Sequence, residues 1–112
     1  MQKIEVTLSD DCFTSVYAAL RKVKMPSFRA SDLKVFDPSA PPAFYRGAPY
    51  PRAHDSLRLE WIVPDQDVEA AIEAIQDGLD DVGEGDAEVV VQAVVEARHL
   101  SPSVWTRRRK SR

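Results

Sequence analysis

The sequence predicts an α+β fold of the ferredoxin-like type, a βαβ-βαβ sandwich in which two helices cover one face of a four-stranded antiparallel sheet. Strand-like and helix-like segments occur in the order βαβ and then βαβ again, all within residues 1–100 of a chain of 112. Hydrophobic residues make up 44% of the chain and charged residues 29%. This composition is ordinary for a globule with its own core, and it excludes global disorder.

The first βαβ unit occupies the N-terminal third of the chain. Alternating apolar and polar residues predict a half-buried strand over residues 2–8. The tripeptide Ser9-Asp10-Asp11 is typical of a helix N-terminus, and apolar residues at helical spacing continue until Pro26. A second strand is predicted over residues 28–36.

The second unit follows a long segment without a clear period. Residues 37–56 hold five of the eight prolines, and a structureless stretch of this length in a compact domain is usually functional. A third strand is predicted over residues 57–63, and Asp65 is the expected N-cap of the second helix. An acidic turn over residues 80–87 is expected to end that helix, and a fourth strand is predicted over residues 88–97.

The fourth strand carries valines on both of its faces. These are Val89, Val90, Val91, Val94 and Val95. Because two helices cover only one face of such a sheet, we expect the second face to meet another copy of the chain.

Charge is unevenly distributed along the sequence. Fifteen basic and eighteen acidic side chains give a net charge of −3. Residues 65–88 carry ten acids and no base, whereas residues 98–112 carry six bases and no acid. We therefore expect one domain over residues 1–100 and a basic tail over residues 101–112.

The sequence also gives expectations about cellular location, metal binding and catalysis. No apolar run approaches the ~20 residues of a membrane span, and no signal peptide is visible, so a cytoplasmic location is expected. The single cysteine, Cys12, cannot form an internal disulfide. With His54 and His99 it matches no zinc spacing, so a metal site is not expected. No nucleophile–base pair or glycine-rich catalytic signature indicates an enzyme.

One motif resembles a known family. Tyr45-Arg46-Gly47-Ala48-Pro49-Tyr50 is similar to the Tyr-Arg-Gly-Ala-Glu-Tyr motif of the PII signalling proteins, which lies in a mobile loop, the T-loop, between their second and third strands. The run from Leu59 to Asp65 resembles the PII run Ile-Glu-Ile-Val-Val-Pro-Asp, and Lys3-Ile4-Glu5 and Gly85-Asp86 also match. The resemblance covers residues 1–97 and lies nearest to divergent PII-like proteins tied to inorganic-carbon uptake or carboxysomes.

The resemblance implies a non-catalytic regulator. PII-like proteins are cytoplasmic trimers that bind adenine nucleotides between subunits and regulate a transporter, a channel or a metabolic enzyme through the T-loop. For this chain it implies a homotrimer without a cofactor and a T-loop-like segment over residues 37–56. The ligand would be AMP or ADP, with bicarbonate as a candidate anion. The regulated partner would belong to inorganic-carbon or nitrogen metabolism.

The resemblance also assigns residues to these roles. For the nucleotide it assigns Glu60, Ile62 and Gly85, with Ser27, Phe28 and Arg29, the first two from the neighbouring subunit. Two family arginines align to His99 and Ser101, and Arg98 and His99 could partly replace them. For an anion or a partner it assigns Tyr45, Arg46, Tyr50, Arg52 and Arg58. Tyr50 occupies a position that a partner enzyme uridylylates in some PII proteins, and the alternative is an exposed loop tyrosine.

The phosphate-binding positions depart from the family pattern. Glu88 stands where the family has a phosphate-binding lysine, Asp81 replaces a threonine, and Val35 replaces a glycine. Carboxylates beside a triphosphate repel it strongly once water is excluded. We therefore expect a nucleotide with few phosphates, or a different small ligand, rather than ATP with magnesium.

The basic tail leaves a second hypothesis open. Trp105 stands close to a basic cluster, five cationic residues within 107–112, that could bind nucleic acid or an acidic membrane surface. It could instead dock on the acidic segment 65–88 of its own or a neighbouring subunit, and nucleic acid is the less expected partner. The alternative function is a ferredoxin-like interaction or nucleic-acid-binding module acting through this tail.

Overall fold

The structure, a computed structural model, describes residues 1–103. Its strands are β1 (Gln2–Ser9), β2 (Arg29–Phe36), β3 (Ala43–Tyr45), β4 (Ala48–Tyr50), β5 (Ala53–Val63) and β6 (Ala87–Ala93). Its helices are α1 (Phe13–Lys22) and α2 (Val68–Val82), each preceded by a 3₁₀ turn, Asp10–Cys12 and Asp65–Asp67 respectively. The predicted roles of the tail concern residues 104–112, which lie outside the described part.

Four strands form one antiparallel sheet in the order β2-β5-β1-β6. The two central strands, β1 and β5, pair from Gln2–Val63 to Ser9–Ser56. Strands that are adjacent in the sheet are thus not always adjacent in the chain, which is the arrangement of a split βαβ-βαβ sandwich. The predicted fold class is confirmed.

One face of this sheet packs against both helices and forms the core. The buried apolar residues of this core come from β1, the first 3₁₀ turn, β5 and the two helices: Ile4, Val6, Leu8, Cys12, Val16, Leu20, Leu59, Trp61, Val63, Ala71, Ala74 and Ile75. The alternation predicted for β1 therefore separates a helix-covered face from an open one. Where the helices cross, Gly78 approaches Val16 so closely that an added Cβ would lie 2.6 Å from the Val16 Cα.

The third predicted strand begins earlier than the sequence suggested, and the predicted loop contains strands. Residues 53–56 belong to β5, because Val35 and Phe36 of β2 pair with His54 and Ala53 and extend the sheet there. The remaining loop, residues 37–52, holds a hairpin of β3 and β4. The prediction that residues 37–56 lack regular structure is therefore wrong.

The bounds of the second helix and the last strand also differ from the prediction. Helix α2 runs to Val82 and ends at Gly83, which adopts the left-handed conformation at φ +79° that suits a helix C-terminus. Strand β6 ends at Ala93 because Ala93 pairs with Gln2, where its partner strand β1 begins. Val95 beyond it is fully exposed.

The predicted N-cap role of Asp65 is wrong. Asp65 starts the 3₁₀ turn and makes no capping bond, and Asp67 precedes the α-helix. Its carboxylate accepts hydrogen bonds from the amino group of Met1, at 2.6 Å, and from Nε2 of Gln2, at 3.2 Å. These bonds hold the pKa of Asp65 below its ordinary value. Within residues 1–103, no helix is long and apolar enough to cross a membrane.

Candidate functional site

The sheet face away from the helices, called here the helix-free face, carries charged side chains in pairs. Lys3 Nζ lies 2.9 Å from a carboxylate oxygen of Glu60, and Arg58 Nε lies 3.8 Å from one of Glu5. Both pairs join β1 to β5 across the centre of the sheet. Val90 of β6, opposite Glu5, adds an apolar side chain to the same face.

A cavity of about 410 Å³, called here the Glu60 cavity, opens at one end of this face. Its wall consists of Lys3, Ser27, Phe28, Arg29, Glu60, Trp61 and Ile62. Five of these seven residues are the ones the PII resemblance assigned to a nucleotide. The pairing of Arg29 with Glu60 brings the start of β2 against β5 and so assembles the cavity within one chain.

Aromatic rings form the inner wall of the Glu60 cavity. The ring of Phe28 lies 5.8 Å from that of Trp61 and 6.1 Å from that of Tyr17, measured between centroids. Within the described residues, the buried indole N–H of Trp61 has no hydrogen-bond acceptor. An apolar wall with charged groups at its rim is the usual composition of a small-molecule site.

The Glu60 carboxylate is held in its ionised form. Its hydrogen bond with Lys3 is the main cause, and the positive charges of Lys3, Arg58 and Arg29 add to it. Together they lower the pKa of Glu60 below its ordinary value. At neutral pH this cavity therefore offers a fixed acceptor, the Glu60 carboxylate, beside cationic donors.

Two residues of the Glu60 cavity, Lys3 and Trp61, are not among those assigned from the sequence. Lys3 faces Ile62 across the β1–β5 pair, so the alternation of both strands could have indicated it. Trp61 has no signal of its own, because it continues the apolar alternation of the strand predicted over residues 57–63. Ser27 and Phe28 lie beside Glu60 within one chain. The prediction that a neighbouring subunit supplies them to the nucleotide stays a prediction.

The other residues assigned to the nucleotide lie elsewhere in the chain. Gly85 precedes β6, at the far end of the sheet from the Glu60 cavity. Arg98 and His99 follow β6, and the Arg98 guanidinium pairs with Glu96. A single chain therefore assembles only part of the predicted site.

A second cavity, called here the acidic cavity, lies at the opposite end of the helix-free face. Its volume is about 760 Å³. Its wall consists of Thr7, Leu8, Ser9, Asp10, Asp11, Val35, His54, Asp55, Ser56, Asp86, Ala87 and Glu88. Val35 and Glu88, two positions where the sequence departs from the PII pattern, thus line one cavity. Its negative charge does not favour a phosphate.

Loop residues 37–52 present arginines and aromatic rings to solvent. Arg46 and Gly47 have φ values of +52° and +80°, and two consecutive positive values are typical of a two-residue type I′ hairpin turn. The Arg46 guanidinium lies 5.3 Å from the centre of the Tyr45 ring. Two hydrogen bonds from Ser39, through its hydroxyl and its backbone N–H, lower the pKa of Asp37 and order the start of the loop.

The anion or partner contacts predicted from the sequence fall into two groups. Tyr45, Arg46, Tyr50 and Arg52 lie in the loop, and Tyr45 and Tyr50 are exposed. Phe36, Tyr50 and Arg52 join four of the five loop prolines around a mostly apolar cavity of about 680 Å³. Arg58 lies in the sheet and pairs with Glu5, so it is not a loop residue.

Comparisons with known proteins bear on the fold. No family model and no curated protein matches the sequence. Among solved structures, the Arabidopsis thaliana PII protein bound to citrate is similar, with a TM-score of 0.64 over 83% of this chain and 76% of that chain and with 23% sequence identity. The resemblance inferred from the motifs is thereby confirmed at the level of the fold: this chain has the fold of the PII signalling proteins.

Proposed function

We propose that this chain is a non-catalytic, cytoplasmic PII-like signalling protein that binds AMP or ADP and regulates a transporter or metabolic enzyme through loop residues 37–52. The observation that carries the proposal is the Glu60 cavity, where five residues assigned from the sequence meet in one wall. The PII fold and the Tyr-Arg-Gly motif of the loop support it.

The chemistry of the Glu60 cavity suits an adenine nucleotide. Phe28 and Ile62 offer apolar surfaces on which a purine ring can pack. The ionised carboxylate of Glu60 accepts hydrogen bonds and therefore suits an exocyclic amino group. Lys3 and Arg29 supply cationic donors for one or two phosphates.

The charge at the other end of the helix-free face argues against a triphosphate. In a cyclic trimer each interface joins two different surfaces, one from each of the neighbouring subunits. The Glu60 cavity of one copy would therefore face a different surface of the next copy. The paired ions and Val90 of the helix-free face support its burial in such an assembly. Glu88, which stands at a predicted phosphate position, lies beside Asp86 in the wall of the acidic cavity, and these carboxylates repel added phosphates.

The loop provides the means of regulating a partner. Among residues 1–103, Arg46 and Arg52 have no carboxylate partner, so both guanidinium groups are available to an anion such as bicarbonate or to an acidic surface. The regulated protein is proposed to serve inorganic-carbon or nitrogen metabolism, as the motif resemblance implies.

Titration calorimetry tests this proposal on the full chain. AMP and ADP should bind, and ATP with magnesium should bind no more tightly than ADP. Glu60→Gln should weaken the affinity for AMP about tenfold, because it removes a charged hydrogen-bond acceptor. Glu5→Gln is the matched control, since Glu5 is an ion-paired carboxylate of equal exposure on the same face but outside the cavity. Tighter binding of ATP, or equal losses in the two variants, would overturn the proposal.

The assembly has a separate test. Light scattering at micromolar concentration should give three times the mass of one chain. Val90→Asp places a charge on the helix-free face and should reduce that mass, whereas Val95→Asp, outside the sheet and fully exposed, should not. A monomeric mass for the unmodified protein would contradict the trimer.

A further inference from the structure

Two apolar cavities lie side by side in the loop and share part of their walls. The larger one, of about 680 Å³ and called here the proline cavity, is the cavity that Phe36, Tyr50 and Arg52 line with four prolines. The smaller one, of about 380 Å³ and called here the hairpin cavity, is lined by Tyr45 of β3 and by all three residues of β4. Pro49 and Tyr50 belong to both walls, so the two cavities are adjacent.

The aromatic side chains that line these cavities are open to solvent. Phe36 is 55% exposed, Tyr45 is 65% exposed and Tyr50 is 47% exposed. Exposed apolar side chains that cluster together mark an interaction surface, whereas single ones need no explanation. The prolines already restrict the backbone here, so binding removes less conformational freedom.

Each cavity adjoins a guanidinium group without a carboxylate partner. Arg52 lines the proline cavity, and Arg46 Cζ lies 5.3 Å from the centre of the Tyr45 ring in the hairpin cavity. Neither guanidinium group forms an ion pair or a hydrogen bond within residues 1–103. Asp37 supplies the carboxylate of these walls, and it accepts two hydrogen bonds from Ser39. The unpaired positive charges therefore favour an acidic occupant.

The arrangement of the two cavities favours an extended peptide chain. Alternate side chains of an extended segment lie on the same side of it, so two of them can enter neighbouring cavities at once. Carboxylates elsewhere in such a segment can pair with Arg46 and Arg52. Tyrosine and arginine side chains are also the residues that contribute most to the binding energy of protein interfaces.

The described segments of a second copy match this surface poorly. After β6, Val95 and Leu100 are exposed apolar residues. The carboxylate between them, that of Glu96, is already paired with Arg98. Residues 104–112 are basic in sequence and carry the same charge as the two loop arginines. A different protein is therefore the better source of an acidic, extended segment.

We propose that the two loop cavities bind an extended acidic segment of the regulated protein. Two of its apolar side chains enter the proline cavity and the hairpin cavity, and its carboxylates pair with the guanidinium groups of Arg52 and Arg46. This inference rests on the proposed function, since it states the chemistry of the partner that loop residues 37–52 would contact. It does not depend on which ligand occupies the Glu60 cavity.

Synthetic peptides of ten residues test the chemistry of this partner. Each carries two leucines, with one to four residues between them, and an aspartate beside each leucine, in a background of glycine and serine. Fluorescence anisotropy at low salt measures the binding of the labelled peptides to the full chain, and at least one spacing should bind. Replacing its aspartates by lysine should weaken binding at least about tenfold, because the charge-assisted bonds are lost. Replacing its leucines by serine should do the same, because less apolar area is buried.

Two exposed aromatic residues of the hairpin provide matched variants. Tyr50 lines both cavities, whereas Phe44 lines neither and is 67% exposed. Tyr50→Ala should weaken the best peptide about tenfold, and Phe44→Ala should change its affinity less than about twofold. Arg52→Gln should weaken it about fivefold, whereas Arg21→Gln, on α1, should have no effect.

Three results would each overturn the inference: binding by none of the peptides, equal losses in Tyr50→Ala and Phe44→Ala, or equal binding of the aspartate and lysine peptides. Light scattering adds a fourth, because a lower assembly mass in Tyr50→Ala would assign the cavities to a contact between copies. AMP titrated into the unmodified protein distinguishes this inference from the proposed nucleotide site. AMP binding without peptide binding overturns this inference alone, and peptide binding without AMP binding supports it while the nucleotide site fails.

Discussion

A Cβ atom on residue 85 would lie 2.8 Å from Sγ of Cys12. Gly85 has a φ of +85°, and the thiol is buried between the Ser9 hydroxyl at 3.5 Å and the Glu84 carbonyl at 3.7 Å. Position 85 therefore needs a glycine for a structural reason that one chain already shows. The absence of a side chain at Gly85 lets the turn before β6 pack against the 3₁₀ turn that holds Cys12.

Gly85→Ala should lower the free energy of unfolding by about 2–4 kcal/mol, from left-handed strain and steric overlap together. Gly83→Ala is the matched control: its φ is +79°, but nothing lies within 4 Å of the added Cβ. It should cost only about 1 kcal/mol. Urea denaturation of both variants measures the difference.

A cysteine variant separates the two causes. In a Cys12→Ala background the obstructing sulfur is gone, so Gly85→Ala should cost about as much as Gly83→Ala. The same cost for Gly85→Ala in both backgrounds would show that strain alone requires glycine there.

The sequence was sufficient to predict the four sheet strands and both helices, and the signal was clearest in β1 and the two helices, whose apolar residues recur at the expected spacing. The alternation of Ile4, Val6 and Leu8 specified the buried face, and all three are buried. The prediction failed for residues 53–56, which form a strand only because a neighbouring strand pairs with them. The polar segment before Leu57 has no strand pattern, and it is a strand because β2 pairs with it.

Within the loop, the missed hairpin had a signal. Gly47 follows Arg46 at the point where both residues need a positive φ, and glycine at the second turn position is typical of such hairpins. The prolines obscured it, yet Pro49 lies in a two-stranded sheet where an edge strand tolerates proline. For the Glu60 cavity, motif matching found five wall residues, but it could not find Lys3 without the β1–β5 register.

The Lys3–Glu60 pair predicts a pH-dependent contribution to stability. The pKa of Glu60 is lowered in the folded chain, mainly by its hydrogen bond with Lys3. The pair therefore stabilises the fold above the ordinary glutamate pKa of about 4.3, and this stability is lost as the pH falls through the folded pKa. The difference in melting temperature between the unmodified protein and Lys3→Met should be present at pH ~7 and should shrink as the pH is lowered below about 4.3.

Carboxyl NMR titration checks the cause directly. Lys3→Met should raise the pKa of Glu60 more than Arg58→Met does, because only Lys3 hydrogen-bonds to it. A Glu60 titration that is identical in the unmodified protein and Lys3→Met would contradict the pairing.

The close contact between α1 and α2 predicts that replacing Gly78 by alanine destabilises the fold, although alanine is the better helix former. Gly78→Ala improves helix propensity by about 1 kcal/mol, but the added Cβ would lie 2.6 Å from the Cα and 2.9 Å from the backbone N of Val16. No rotamer change can move these backbone atoms. We expect a net loss of about 1–3 kcal/mol by urea denaturation. Asp77→Ala, at the exposed neighbouring position, should not destabilise, and a Gly78→Ala protein at least as stable as the unmodified one would show that the helices separate easily.

The last prediction concerns Arg46, where turn geometry and charge have to be separated. A hairpin of two three-residue strands is marginal by itself, so its backbone amides should exchange rapidly without ligand. If AMP at the Glu60 cavity shifts the loop population, exchange over residues 37–52 should slow when AMP is added.

Arg46→Asn keeps a residue that accepts positive φ but removes the guanidinium. It should preserve the exchange of the free protein and reduce the slowing by AMP. Arg52→Gln should reduce it as well, whereas Arg21→Gln, on α1, should not. If Arg46→Asn left the slowing intact, the loop would respond through its backbone alone, and the anion contact assigned to Arg46 would be wrong.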